Sequence, residues 1–98
     1  MSRPLDDVLA EVVAWGCETF PRSTDSAKTK HLLKEAAELD ANPSSPEEMA
    51  DVLMILAHLA AAHGVVLAEA VEAKLAECRT RTWAVPDVDG VVEHVRRL

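Results

Sequence analysis

Ninety-eight residues suffice for one domain and are too few for two. Hydrophobic residues make up 49% of the chain, yet it has one Phe, two Trp and no Tyr, so the core is aliphatic and Ala-rich, a composition that favours helices over strands. A formal charge of −7 excludes a general nucleic-acid-binding surface, which is basic, but leaves room for a nucleotide that arrives with its own metal. In chain order, Ser2-Arg3-Pro4 reads as a helix start, with Ser2 as cap. Leu5, Val8, Leu9, Val12 and Trp15 then keep helical spacing to about Cys17. Residues 19–24 form a loop, and a second helix is expected over 26–40. Asn42-Pro43-Ser44 breaks it. Ser45-Pro46-Glu47-Glu48 is a strong helix start: a cap, Pro in the first position, and Glu48 placed to close a capping box. The third helix runs to about His63 and ends at Gly64. A fourth covers 67–81, residues 86–90 form a turn, and Val91 to Arg97 is predicted as a short terminal helix. The expected architecture is all-α: one domain, residues 1–98, built as a compact four-helix bundle with that short C-terminal helix or extension.

Two cysteines, Cys17 and Cys78, are too few for a disulfide framework and read as reduced thiols in a cytoplasmic protein. No basic-then-apolar signal pattern opens the chain. The apolar run from Met49 to Ala62 is 14 residues, too short to span a bilayer, so no membrane partner is expected and the run reads as a buried helix.

Two carboxylate pairs carry the chemistry. Glu35-x-x-Glu38 and Glu48-x-x-Asp51 each have i,i+3 spacing, which puts both members on one helix face. On antiparallel helices they would converge. Two unit charges about 4 Å apart repel by roughly 1 kcal/mol in water and about 4 near a protein surface, so gathering four needs a reason. A hard divalent cation such as Mg2+ is the commonest one. The four differ individually. Asp51 lies on a helix apolar on every side, where an unpaired carboxylate is rare. Glu35 flanks the apolar arc Leu32, Leu33, Ala36, Ala37, Leu39. Glu48 is accounted for equally well as a capping residue. Glu38 faces away from the arc and joins a site only if the second helix packs on more than one side, as in an oligomer. Glu69 and Glu72 repeat the spacing opposite the fourth helix's apolar stripe and read as solvated.

Lys74 and Arg81 fall within that stripe. Either they snorkel to its edge or they reach into a pocket to hold phosphate, with Arg79 the weaker candidate. Trp83, just beyond, either packs or stacks on a base. No Glu-x-x-His, Cys-x-x-Cys, His-Glu-x-x-His or Gly-rich loop is present. His58, inside the third helix, reads as a satisfied core residue.

The order of these parts resembles the all-α nucleoside triphosphate pyrophosphatases, the MazG-like superfamily, whose signature is E-x-x-E on one helix and E-x-x-D on the next, followed by basic residues. Lys34-Glu35-Ala36-Ala37-Glu38 and Glu47-Glu48-Met49-Ala50-Asp51 carry the match. The detail is closest to the dATP/dGTP pyrophosphohydrolase-like branch, through Trp15, Thr19-Phe20-Pro21, His31-Leu32, the run from Lys74 through Arg79-Thr80-Arg81-Thr82-Trp83, Asp89-Gly90 and His94. The resemblance implies hydrolysis of a (deoxy)nucleoside triphosphate to monophosphate and pyrophosphate. It implies Mg2+, with Mn2+ as a substitute, held by Glu35, Glu38, Glu48 and Asp51. It further implies phosphate contacts from Lys74, Arg79 and Arg81, and a homodimer or dimer of dimers. Two departures support a rival reading, a nucleotide-binding or interaction module without turnover. The spacer from Leu39 to Glu47 is short, and Cys78 stands where the branch usually has Asn.

Overall fold

Four α-helices supply the regular structure in the computed structural model, which describes residues 3–87 and 90–93. They are α1 (Leu5–Thr19), α2 (Asp25–Ala41), α3 (Pro46–Ala62) and α4 (Leu67–Arg79), and no strand occurs among the described residues. The chain forms two compact units, Met1–Leu67 and Ala68–Leu98.

In the first unit α3 packs on both α1 and α2. The helix ends follow from local chemistry. Thr24 caps α2 by accepting from the Ala27 N–H at 3.1 Å, one residue earlier than the sequence suggests. Ser45 caps α3, accepting from the Glu48 N–H at 3.3 Å, with Pro46 in the first turn. Past α3, Gly64 takes the left-handed conformation (φ 66°). It lets Val65 N–H donate to Ala60 O at 2.8 Å and Gly64 N–H to Ala61 O at 3.3 Å, a Schellman closure. His63 Nε2 then meets Asp25 Oδ2 at 2.8 Å, tying the end of α3 to the start of α2. The expected cap Ser2 lies outside the described residues; Pro4 occupies the N-cap position with no side-chain bond.

The α2 packing face differs from the one read off the sequence. Leu33 is 73% exposed, and Ala36 and Ala37 are exposed as well. The inward stripe is Lys28, Leu32, Glu35 and Leu39 instead, spaced i, i+4, i+7, i+11. The reason is that α3 alone supplies a substantial packing surface for α2, so one narrow stripe is covered rather than a wide arc. The third helix is likewise not buried all round: Ile55, Ala57 and Ala60 form the core, while Met49 and Leu56 remain exposed.

In the second unit α4 stops at Arg79, before the expected Arg81. Thr80 and Arg81 close tighter turns onto Glu77 O and Cys78 O at 3.1 and 3.2 Å. The predicted terminal helix is not formed where the chain is described. Residues Val91–Glu93 are non-helical because the Ala84 N–H donates to Glu93 O at 2.7 Å and the Asp87 carboxylate accepts from the Val91 N–H at 2.9 Å, doubling the chain back on itself. Residues 94–97 of that prediction, like Asp89 and His94, lie outside the described residues.

Gly16 on α1 lies against the His58 side chain of α3. A Cβ built there would lie 2.0 Å from His58 Cε1. Gly16→Ala is therefore expected to destabilise the protein by about 1–3 kcal/mol through overpacking. Adding His58→Ala should recover most of that loss. Thermal unfolding of the double-mutant cycle checks it; strictly additive losses would place the contact elsewhere.

Candidate active site

The α2–α3 hairpin brings the carboxylate pairs together. Single carboxylate oxygens of Glu35, Glu38 and Glu48 lie within 4.8 Å of one another. Glu35 is buried (8% exposed), Glu48 half-buried and Glu38 exposed. Glu38 thus reaches the cluster within a single chain, and no second copy is needed to bring it there. Asp51 is exposed and outside the tightest trio, but its charge acts on both Glu35 and Glu48.

Glu48 does not close a capping box. The Ser45 N–H donates to Asn42 O at 3.1 Å, so the backbone takes the donor that the Glu48 side chain would have accepted. Glu48 Oε2 is instead buried without a hydrogen-bond partner among the described residues, and so is Glu35 Oε2. Native proteins rarely leave such atoms orphaned. His31 Nε2 meets the other oxygen of Glu35, Oε1, at 3.0 Å, which leaves Oε2 turned to the cluster.

The electrostatics are those of crowded acids. The close approach of the Glu38 carboxyl raises the Glu35 carboxyl above its ordinary value, helped by burial and the Glu38 charge; His31 works in the opposite sense. Burial raises Glu48, and the charges of Glu38, Asp51 and Glu35 add to it. No Lys or Arg forms an ion pair with the four among the described residues. Four oxygen donors without a fixed cation, two with unused buried oxygens, fit a hard divalent ion.

Glu35 and Asp51 also line the wall of an open cavity of about 860 Å3. Trp15, Phe20, Met54 and Ile55 make much of it apolar, with Trp15 and Phe20 edge to face at 5.5 Å. Lys28, His31 and His58 add polar groups. Lys28 was not singled out from the sequence. The signal was present: Lys28, His31 and Glu35 sit at i, i+3 and i+7 on α2, one face of the helix.

The basic candidates occupy the second unit. Lys74 Nζ lies 3.5 Å from Glu77, and Arg81 pairs with the same carboxylate. Arg79 ends α4 and is exposed. The Trp83 indole N–H donates to Cys78 O at 3.2 Å. Glu69 and Glu72 are exposed and have no ion pair among the described residues.

Known proteins bear on this geometry. A family model described as dATP/dGTP pyrophosphohydrolase matches residues 8–97. The chain is 36% identical over 97 residues to the dATP/dGTP diphosphohydrolase of cyanophage S-2L, covering 97% of this chain and 91% of that one. It is 37% identical over 90 residues to the dATP/dGTP diphosphohydrolase of Salmonella phage PMBT28, of which it spans 31%. A solved cyanophage S-2L MazG-like pyrophosphohydrolase, bound to dGDP and three catalytic Mn2+ ions per active site, matches with a TM-score of 0.83 at 35% identity, over 97% of this chain and all of that one.

The raised acids give a pH test. Folded-state values above the unfolded ones mean that stability is lost as pH rises from the ordinary carboxyl range through the raised values. Glu48→Gln should therefore raise the melting temperature of the metal-free protein at about pH 8, with a gain that shrinks toward about pH 5. Mn2+ should raise the wild-type melting temperature and raise that of the variant less. A metal response equal in both proteins would remove Glu48 from the site.

Proposed function

The chain belongs to the dATP/dGTP pyrophosphohydrolase family, and from that premise we propose that it hydrolyses a purine deoxynucleoside triphosphate to monophosphate and pyrophosphate at the mouth of the α2–α3 hairpin. The observation that carries this reading is the trio of carboxylate oxygens within 4.8 Å, opening onto a largely apolar cavity.

Glu35, Glu38, Glu48 and Asp51 would hold the divalent ions, Mg2+ or Mn2+. Bound there, such ions supply an acidified water and positive charge against the triphosphate. The residues of the chain do the rest. His31 fixes the Glu35 carboxylate through Oε1, so that Oε2 is presented in one orientation. Glu48 is held in place by the first turn of α3, and its Oε2 has no donor among the described residues. Asp51 lines the cavity together with Glu35, and its charge acts on Glu35 and Glu48. Trp15 and Phe20 form the apolar end of the cavity. On family membership, and not on geometry, Lys74, Arg79 and Arg81 are assigned to phosphate contacts and Trp83 to a stacking contact. Glu77 already gathers Lys74 and Arg81 into one cationic patch.

A homodimer or dimer of dimers is part of the same reading. The exposed apolar side chains Leu33 on α2 and Val71 on α4 support it, at 73% and 63% exposure. No single helix among the described residues is long and apolar enough to cross a membrane. Both cysteines are free thiols, which suits a reducing cytoplasm.

Asp51→Asn should lower Mn2+- or Mg2+-dependent pyrophosphate release from dGTP by at least about 100-fold, with the melting temperature little changed. Glu69→Gln, at the solvated pair with the same spacing, should keep full activity. A colorimetric pyrophosphate assay reads both; turnover in Asp51→Asn at the wild-type rate would sink the assignment. Lys74→Ala combined with Arg81→Ala should raise KM by about tenfold or more through lost phosphate contacts.

A further inference from the structure

His58 sits in the cavity wall with hydrogen-bonding capacity that the described protein leaves unused. Its ring is half-buried and rests against the bare Cα of Gly16, so close that a Cβ there would overlap it. Neither ring nitrogen has a hydrogen-bond or ion-pair partner among the described residues, whereas the other two histidines described there, His31 and His63, are both engaged. Two other polar groups of the cavity have protein partners: Thr19 Oγ1 donates to Trp15 O at 2.8 Å, and Lys28 Nζ to Ser23 O at 3.1 Å. Burial, and to a smaller extent the charge of Lys28, lower the affinity of His58 for a proton. The neutral ring offers one donor and one acceptor.

Position decides what it meets. His58 follows Asp51 by seven residues on α3, about 10 Å along the helix axis at 1.5 Å per residue. Phosphates gathered at the acidic cluster lie at the other end of that interval. Met54, Ile55 and Trp15 line the same cavity with apolar side chains, which suit a base better than a hydroxylated sugar. Resting on the pyrophosphohydrolase reading above, we propose that His58 hydrogen-bonds the edge of the purine base and sets the affinity for the nucleoside half of the substrate, with Gly16 keeping the space that seats the ring.

The test compares His58→Phe and His58→Gln with wild type. Phe keeps a ring against Gly16 and removes both polar atoms; Gln restores a donor and an acceptor. His58→Phe should raise KM for dGTP by about tenfold while kcat changes by less than about threefold, and His58→Gln should recover part of the loss. The same penalty should appear with dideoxyguanosine triphosphate, and inhibition by inorganic tripolyphosphate should be unchanged. An unchanged KM in folded His58→Phe would reduce the residue to packing. A penalty that vanishes with the dideoxy substrate would move the contact to the sugar. Weaker tripolyphosphate inhibition would move it to the phosphates. Each of these three overturns the proposal. Wild-type protein that binds dGTP without releasing pyrophosphate would sink the reaction alone, and the same comparison would then be read from calorimetric Kd values.

Discussion

Repulsion among the carboxylates of Glu35, Glu38 and Glu48 is the constraint on which the rest of the structure turns. Their oxygens come within 4.8 Å of one another at the packed face of two helices, with no Lys or Arg paired to them among the described residues. Burial of Glu35 makes this worse, because desolvation penalises the charged form. A chain under selection for stability alone would place apolar residues there. The hairpin instead spends the inner stripe of α2 on an acid, and the two orphaned oxygens define where a counter-ion belongs.

From that constraint the division of labour follows. The α2–α3 hairpin holds the charge, locked at both ends by the Ser45 cap and by the Asp25–His63 pair. The α1–α2 loop, with Phe20, and the end of α1, with Trp15, build the apolar side of the cavity. Gly16 allows α1 to come close enough to α3 for the wall to form. In the reading proposed above, Asp51 at the acidic end and His58 at the base end are spaced along α3.

Much of this was legible in the sequence. The four helices, the Ser45 cap and the stop at Gly64 were readable because propensity, capping and a left-handed glycine all act locally. The acid pairs were readable through their spacing and through the likeness to a known family. The rank order of the acids was not. Asp51 was expected to be the most constrained and is exposed, while Glu35, expected at the edge of a stripe, is the buried one. A helical wheel weighs a face by its apolar residues and knows nothing of which face a neighbour covers. Glu48 passed for a capping residue because its spacing from Ser45 is right. Only the backbone bond from Ser45 to Asn42 shows that the box stays open. Residues 91–93 of the expected terminal helix are non-helical for a related reason: the Asp87 side chain and the Ala84–Glu93 bond redirect a segment whose own preferences are weak.

The central claim, that these acids are gathered to hold divalent ions, is tested most directly by anomalous diffraction from crystals grown with Mn2+ and a non-hydrolysable triphosphate analogue. The account predicts manganese peaks bounded by the carboxylates of Glu35, Glu38, Glu48 and Asp51. Crystals diffracting well enough to show side chains, with manganese absent from that cluster or bound only elsewhere, would contradict it.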